Sequence, residues 1–209
     1  VSASNNKIVY VGNAQIDTAQ YKFGGSSALF DGTGDYATTS DSDDWNFGSG
    51  DFTIDTWVRF NTVASNQYIA SQRTDGNNFM TMQWAASELQ FRVQQTSTFI
   101  ILIDKPWSPS VNTWYHLAIT RNGNNWRWFV DGTQLGTTVE ETDSIPDWTG
   151  NFFVGYEPTS SVYLNGWLDE FRISKGIARW TADFTPPACD YDSECGGAPR
   201  PPDDMIVFE

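Results

Sequence analysis

The 209-residue sequence has little of what catalysis and membrane insertion require. It contains one histidine, His116, and two cysteines, and no apolar run approaches the roughly 20 residues of a membrane-spanning helix. A single imidazole excludes a zinc site built from several histidines, and a Ser-His-Asp triad would have to use His116. The GxxxxGKS/T phosphate loop is also absent. These absences disfavour metallohydrolase, triad and nucleotide chemistry.

Positive charge is scarce as well. Lys and Arg total 12 against 26 Asp and Glu, which gives a formal net charge of −14. This sign repels nucleic-acid phosphates and anionic lipid headgroups, so we expect neither nucleic acid nor a membrane as a partner, whereas a cation suits the charge. Charged residues make up only 18% of the chain, so hydration depends on uncharged polar side chains, which favours an extracellular setting.

The sequence patterns indicate strands and not helices. Apolar and polar residues alternate over residues 52–60, 89–93 and 115–121, which predicts strands with one buried face. Between strands lie residue pairs suited to tight turns: Asp31-Gly32, Asn122-Gly123, Asp131-Gly132 and Asn165-Gly166. We predict an all-β fold, a two-sheet antiparallel β-sandwich of the jelly-roll type, with residues 28–34 near residues 168–173.

The composition changes near residue 187, so we predict a domain at 1–187 and a tail at 188–209. The tail holds Cys189 and Cys195, which form either a small disulfide loop or two reduced thiols. A proline-rich stretch follows, and residues 205–208 form an apolar, strand-like end. This end has three interpretations: it folds back on its own domain, adds to the sheet of a neighbouring subunit, or is disordered.

Four stretches carry a family resemblance: FGGSSALFDGTGDY, GDFTIDTWVRF, NTWYHLAITRNGNNWRWFVDG and NGWLDEFRISKGIARWTADFTPP. In this order, covering residues 7–187, they resemble the laminin-G-like branch of the concanavalin A-like lectin/glucanase superfamily. Several of these stretches are similar in sequence to modules of phage virion proteins and microbial surface proteins. The resemblance implies a concanavalin A-like jelly roll at an extracellular or virion surface. Trp57, Trp114, Trp128 and Trp167 fall in strand patterns and are expected in its core.

Catalysis is not expected. Glucanases of this superfamily place their carboxylates on one strand as Glu-x-Asp-x-(x)-Glu, and this sequence lacks the motif. The acidic clusters at residues 41–44, 140–143 and 190–194 lie in turn-like stretches and are interpreted as solvated loops. We therefore predict that the protein is not an enzyme.

The resemblance also implies a structural calcium ion where an early turn meets a late strand. Asp31 and Asp169 occupy the matching motif positions, and Asp35 offers a third carboxylate. Carboxylate and carbonyl oxygens are the ligands that Ca²⁺ prefers. Alternatively, Asp31 and Asp35 only shape the turn through hydrogen bonds to the backbone.

Two functions fit these patterns. The first is a non-catalytic, lectin-like module that binds glycans or other surface polymers through aromatic rings and amides. The second is a structural or assembly subunit of a virion or filament, a homo-oligomer joined to neighbouring subunits through sandwich faces and the C-terminal segment. For Trp107 and Trp148, packing against a sheet edge is the alternative to ligand contact. The candidate ligand-binding residues are Trp107, Trp148, Trp84, Trp126, Tyr68 and Asn78.

Overall fold

The computed structural model describes residues 7–191 and the strand at 204–207, the latter as backbone only. Within these residues the chain forms strands and one 3-10 helix, Asp43–Trp45. The strands are β1 Val9–Val11, β2 Gln15–Asp17, β3 Ser27–Asp31, β4 Tyr36–Thr39, β5 Phe52–Phe60, β6 Gln67–Asp75, β7 Asn78–Ala85, β8 Glu88–Gln95, β9 Thr98–Pro106, β10 Trp114–Asn122, β11 Asn125–Val130, β12 Thr133–Gln134, β13 Val139–Glu140, β14 Phe152–Val154, β15 Tyr156–Glu157, β16 Val162–Tyr163, β17 Asn165–Lys175 and β18 Asp204–Val207.

The strands form two large sheets and a small hairpin. The seven-stranded sheet has the order β1-β4-β14-β6-β7-β8-β9, and the nine-stranded sheet follows the path β12-β11-β10-β5-β17-β3-β2. β13 adds to β11, β18 adds to β17, and β15 pairs with β16. The predicted all-β sandwich is confirmed. So is the closeness of its early and late segments, because Ala28 of β3 lies opposite Leu168 of β17. No helix among the described residues has the length and apolarity to cross a bilayer.

The hydrophobic core lies between the two large sheets. Alternation along β5 sends Phe52 and Ile54 into this core and turns Asp55 to the opposite face of the nine-stranded sheet. The rings of Phe52, Phe91 and Trp126 join the sheets, with centroids 5.9 Å apart for Phe52–Phe91, 5.3 Å for Phe52–Trp126 and 5.5 Å for Phe91–Trp126. Full burial of one such side chain stabilises the fold by about 1.5–3 kcal/mol.

Of the four tryptophans predicted in the core, Trp128 lies there and the other three do not. Trp128 is fully buried, and its indole N–H donates to the Ile103 carbonyl of the facing sheet at 2.8 Å. Trp57 is also buried, although it lies on the outer face of the nine-stranded sheet. Trp114 and Trp167 are half-buried. The outer face of this sheet is therefore a second packing surface.

A C-terminal strap, residues 177–191, covers that second surface. The Thr120 hydroxyl donates to the Trp180 carbonyl at 3.1 Å, and the Phe184 amide donates to the Gly132 carbonyl at 2.8 Å. The rings of Trp180 and Phe184 stack with centroids 3.9 Å apart, and each packs edge-on against the imidazole of His116. The strap therefore acts as a third layer on the sandwich.

A buried charge network lies beneath the strap. Arg172 binds both carboxylate oxygens of Asp55, at 3.0 and 2.9 Å. The Nε2 of His116 lies 3.3 Å from the same carboxylate, and the Tyr191 hydroxyl also donates to it. Burial alone would raise the pKa of Asp55, but the Arg172 charge and the His116 hydrogen bond outweigh burial and hold that pKa below its ordinary value.

A bulge in β17 makes this network possible. The register of β17 against β5 shifts between Asp169 and Arg172, and Glu170 in the bulge has a φ of 53°. The extra residue lets Asp169 and Arg172 both face outward, although they are three positions apart and would otherwise point to opposite faces. Glu170 in turn accepts a hydrogen bond from the Tyr191 amide at 2.7 Å.

The tail returns to the domain that precedes it. β18 pairs with β17 of the same chain, with Arg172 opposite Val207, beyond the point where the pairing of β17 with β3 ends. This is the fold-back interpretation, and addition to a neighbouring subunit stays a prediction. The predicted boundary at residue 187 is likewise untested, although Tyr191 already contacts the sandwich. Cys189 is disulfide-bonded, and the second cysteine of the predicted loop, Cys195, lies outside the described residues.

Candidate functional site

Strand register gathers polar side chains on the outer face of the seven-stranded sheet. Across β6, β7, β8 and β9, one row places Tyr68 opposite Gln83, Gln83 opposite Gln90, and Gln90 opposite Asp104. The next row places Thr81 beside Arg92. Met82, Phe91 and Ile103 alternate with them and enter the core, so the polar residues share the opposite face. We call the following residues the polar face: Tyr68, Thr81, Gln83, Gln90, Arg92 and Asp104.

Two glutamines form the centre of the polar face. Gln83 exposes 5% of its surface and Gln90 exposes 2%. The Gln83 Nε2 donates to the Gln90 Oε1 at 2.6 Å, and the Gln90 Nε2 donates to Glu88 at 3.1 Å. Within the described part of the chain, nothing donates to the buried Oε1 of Gln83. A buried acceptor left without a donor costs about 1–3 kcal/mol, which a donor from a bound molecule would offset.

An arginine–carboxylate pair borders the glutamines on the β9 side. The Nε of Arg92 lies 3.2 and 3.1 Å from the two oxygens of Asp104, and its Nη2 lies 2.6 Å from one of them. The hydrogen bond to Asp104 raises the pKa of Arg92 further above its ordinary value. The guanidinium is therefore held in one orientation by a two-pronged contact.

A second arginine lies on β6 at the edge of the polar face, opposite Phe79 and four residues along the sheet from the row of Gln83. Arg73 of β6 pairs with Glu157 and donates to the Thr159 hydroxyl. Glu157 also accepts from the backbone amides of Thr159 at 3.0 Å and Ser160 at 2.8 Å, which fixes the turn between β15 and β16.

Burial raises the pKa of the neighbouring Tyr68, so its hydroxyl stays protonated at neutral pH and can donate.

Apolar side chains line the polar face at β7 and β9. The rings of Phe79 and Phe99 meet edge to face with centroids 6.1 Å apart. Phe99 is 43% exposed and Leu102 is 48% exposed, which leaves accessible apolar area next to the guanidinium of Arg92. Amides, a carboxylate and apolar area thus lie on one surface.

Three stacked tyrosines hold the β15–β16 hairpin on the sheet. Tyr156 lies between Tyr36 and Tyr163, with centroids 4.6 Å from each and interplanar angles of 19° and 14°. Phe153 meets Tyr156 edge-on, and the Ser71 hydroxyl donates to the Tyr156 carbonyl at 2.7 Å. The hairpin that carries Glu157 is therefore fixed beside the polar face.

A family model of the concanavalin A-like lectin/glucanases superfamily (Laminin_G_3) matches residues 31–179. The chain belongs to this superfamily. The predicted resemblance is thereby confirmed, and the match covers well over half of the chain. A search of curated proteins finds no match to the sequence.

Solved structures show the same fold at low identity. Domain 4 of AbnA, an extracellular GH43 arabinanase of Geobacillus stearothermophilus solved with arabinotriose, has a TM-score of 0.63 and 14% identity, and the alignment covers 83% of each chain. Mouse laminin alpha1 domains LG4-5 have a TM-score of 0.57 and 15% identity over 84% of this chain and 47% of that one. Botulinum neurotoxin type C, described as entering cells through two ganglioside molecules, has a TM-score of 0.60 and 16% identity over 83% and 44%.

Most of the tryptophans predicted to bind ligand lie inside this superfamily fold. Trp84, Trp126 and Trp148 belong to the hydrophobic core, and none is more than 7% exposed. Trp107 is half-buried against the same core, and its carbonyl accepts the Trp84 indole N–H at 3.1 Å. The structure therefore favours packing at these four positions, the alternative stated for Trp107 and Trp148.

The other two predicted ligand residues differ from each other. Tyr68 lies on the polar face, opposite Gln83. Asn78 lies at a strand end, where its amide donates to Asp75 at 3.0 Å and accepts the Thr96 amide at 2.9 Å. Its hydrogen bonds thus shape two turns. The residues that the sequence interpretation missed are the polar-face residues of β7, β8 and β9, whose only sequence signal is the polar half of the strand alternation.

The carboxylates predicted to bind calcium do not share one site. Asp35 accepts from the Asn13 amide at 2.8 Å and from the Asp31 amide at 3.1 Å, and Asp31 itself accepts from Thr33. Asp169 accepts from the backbone amides of residues 22 and 23. The described residues contain no group of three His, Cys, Asp or Glu side chains placed to hold a metal. These side chains fit turn capping better than calcium coordination, and the predicted ion remains to be tested.

Proposed function

We propose that this chain is a carbohydrate-binding module without catalytic activity, and that its polar face contacts the glycan. The observation that carries the proposal is the buried pair Gln83–Gln90, in which the Gln83 Oε1 lacks a donor. A sugar hydroxyl supplies such a donor. Tyr68 is half-buried and lies opposite Gln83 in the strand register, so its hydroxyl belongs to the same surface.

The composition of the face fits sugars in other respects. Amides both donate and accept, as sugar hydroxyls do, so a row of amides can match several hydroxyls in one orientation. Phe99 and Leu102 add exposed apolar area, which suits the C–H faces of a sugar ring. The glycan would then lie across β7, β8 and β9.

The carboxylates near the polar face are engaged in ways that support a binding role. Asp104 holds Arg92 with two hydrogen bonds from Nε and one from Nη2, and Glu88 accepts from Gln90. Retaining hydrolysis requires one carboxylate as a nucleophile and another as an acid, about 5 Å apart. Each of these two carboxylates is instead used as an acceptor for a side chain of the same face. The face therefore suits adhesion better than turnover.

The similarity to known proteins supports the same proposal and also suggests an extracellular location. The arabinanase domain was solved with arabinotriose and belongs to an extracellular enzyme. A disulfide at Cys189 also suits an oxidising compartment. We therefore place the module outside the cell. A position on a virion or filament, joined to neighbouring subunits, stays a sequence prediction.

Glutamine variants test the site. A glycan array identifies the best-bound glycan, and calorimetry then compares the wild type with Gln83→Ala, Gln90→Ala and Gln15→Ala, a control on exposed β2. Loss of one or two hydrogen bonds predicts an affinity about tenfold weaker for the first two variants and no change for the control. Equal affinity for all four proteins would move the site elsewhere, and no binding on a broad array would overturn the function.

A further inference from the structure

Arg92 on the polar face and Arg73 at its edge are already bound by carboxylates of the same chain. Arg92 makes its two-pronged contact with Asp104, with a shortest distance of 2.6 Å. Arg73 pairs with Glu157 and gives a second hydrogen bond to Thr159. A guanidinium binds the carboxylate or sulfate of an acidic sugar with this same fork of donors. The Nε and Nη2 of Arg92 and the Nη1 and Nη2 of Arg73 are thus engaged before any ligand arrives. The Nε of Arg73 has no partner among the described residues, but it is buried.

The pair at Arg73 is held especially firmly. Glu157 is 3% exposed, and besides Arg73 it accepts from two backbone amides and from the Ser160 hydroxyl. Releasing Arg73 would leave a buried carboxylate without its cation, which is costly. The pair at Arg92 is more accessible, since the side chains of Arg92 and Asp104 are 29% and 22% exposed. Asp104 is therefore the carboxylate that can be replaced experimentally to leave its arginine unpaired.

The surrounding charge acts in the same direction. Glu88 lies next to the glutamines and adds a carboxylate that no arginine of the face binds in a hydrogen bond. The two arginines thus face three carboxylates, those of Glu88, Asp104 and Glu157, in a chain whose net charge is −14. An anionic glycan would meet repulsion at long range and, at short range, two cations that are each paired with a carboxylate.

We propose that the polar face selects uncharged glycans, and that Asp104 and Glu157 exclude acidic sugars by occupying Arg92 and Arg73. This inference rests on the proposed function, because it concerns the ligand class of the same site. Asp104 is then a specificity-determining residue: it keeps a guanidinium in place for hydrogen bonding while cancelling its charge. Selectivity arises from the loss of an attraction to anions together with the repulsion of the whole chain.

The test compares two variants that each remove one negative charge. Asp104→Asn removes the carboxylate that hydrogen-bonds to Arg92, whereas Glu88→Gln removes a nearby charge that acts on Arg92 without binding it in a hydrogen bond. All proteins are applied to an array of neutral, carboxylated and sulfated glycans at about 150 mM salt. The Debye length is then about 8 Å, so charges farther from the glycan are largely screened and the nearby charges determine binding. Asp104→Ala is a second release variant, and circular dichroism confirms that each variant is folded.

We expect the wild type and Glu88→Gln to bind neutral glycans only. Asp104→Asn and Asp104→Ala should gain affinity for carboxylated or sulfated glycans by about tenfold or more, the effect of one charge-assisted contact. Wild-type binding to acidic glycans, or an equal gain in Glu88→Gln, would overturn the selectivity but leave the glycan-binding function standing. Failure of the wild type on every class of glycan would instead overturn the function and this inference with it.

Discussion

Replacing Asp55 by Asn tests the buried network beneath the strap. The carboxylate is fully buried and is bound by Arg172, His116 and Tyr191. Asn keeps the size of the side chain but removes the charge that binds the Arg172 guanidinium, and removal of one partner of a buried pair costs about 3–5 kcal/mol. Whole domains are stable by only about 5–15 kcal/mol. Asp55→Asn should therefore lower the free energy of unfolding by about 3 kcal/mol in urea denaturation followed by tryptophan fluorescence.

Two further variants distinguish the loss of the buried ion pair from a general sensitivity of the protein to substitution. Replacing both partners of a buried pair by groups of similar size is often nearly neutral, so Asp55→Asn combined with Arg172→Met should be more stable than Asp55→Asn alone. Glu140→Gln, at an exposed position, should stay within about 0.5 kcal/mol of the wild type. A cost below about 1 kcal/mol for Asp55→Asn, or a double variant as unstable as the sum of its parts, would refute the reasoning.

The pH dependence of this effect follows from the pKa of Asp55, which folding holds below its ordinary value of 3.8. The unfolded chain takes up this proton first as the pH falls. The Asp55 contribution to stability is therefore complete well above 3.8 and declines below it. The gap between wild type and Asp55→Asn should shrink by about 1 kcal/mol from about pH 7 to about pH 3. A gap that stays constant would contradict the assigned pKa.

Two predictions concern the metal and the turns. Asp31, Asp35 and Asp169 accept hydrogen bonds from backbone amides, so EDTA should leave the melting temperature unchanged. If EDTA lowers the melting temperature and added calcium reverses the change, the calcium site predicted from the sequence is supported instead. Ala86 and Ser87 close the β7–β8 hairpin with φ values of 52° and 63°, a conformation that favours Asn-Gly, so the double change to Asn-Gly should stabilise the protein by about 1 kcal/mol in the same urea assay. A lower stability would show that the turn is not strained.

The parts of the fold that depend on local chemistry were predictable from the sequence. Gly32, Gly123 and Gly132 follow Asp or Asn, and all three take positive φ in the structure, as their turns require. Gly132 is constrained twice, since a Cβ there would lie 1.9 Å from the Phe184 carbonyl oxygen of the strap. The second constraint joins segments far apart in sequence, and no local pattern reveals it.

The polar face was missed for a related reason. Its register depends on the hairpins at residues 86–87 and 96–97, which adopt positive φ without a glycine or asparagine. No turn signal therefore aligned β7 with β8 or β8 with β9, so Gln83 and Gln90 could not be placed side by side. The orientation of the tryptophan rings was hard to predict for another reason: a loop position such as that of Trp148 does not tell whether the ring turns inward.

The most direct measurement is an NMR titration of the side-chain amides, with arabinotriose and, in parallel, the neutral glycan that the array ranks first. Binding at the polar face predicts that the amide signals of Gln83 and Gln90 shift in step with glycan concentration. Those of Gln15 and Gln134, on the other sheet, should stay in place. Saturable shifts at Gln15 or Gln134 with Gln83 and Gln90 unmoved would contradict the account.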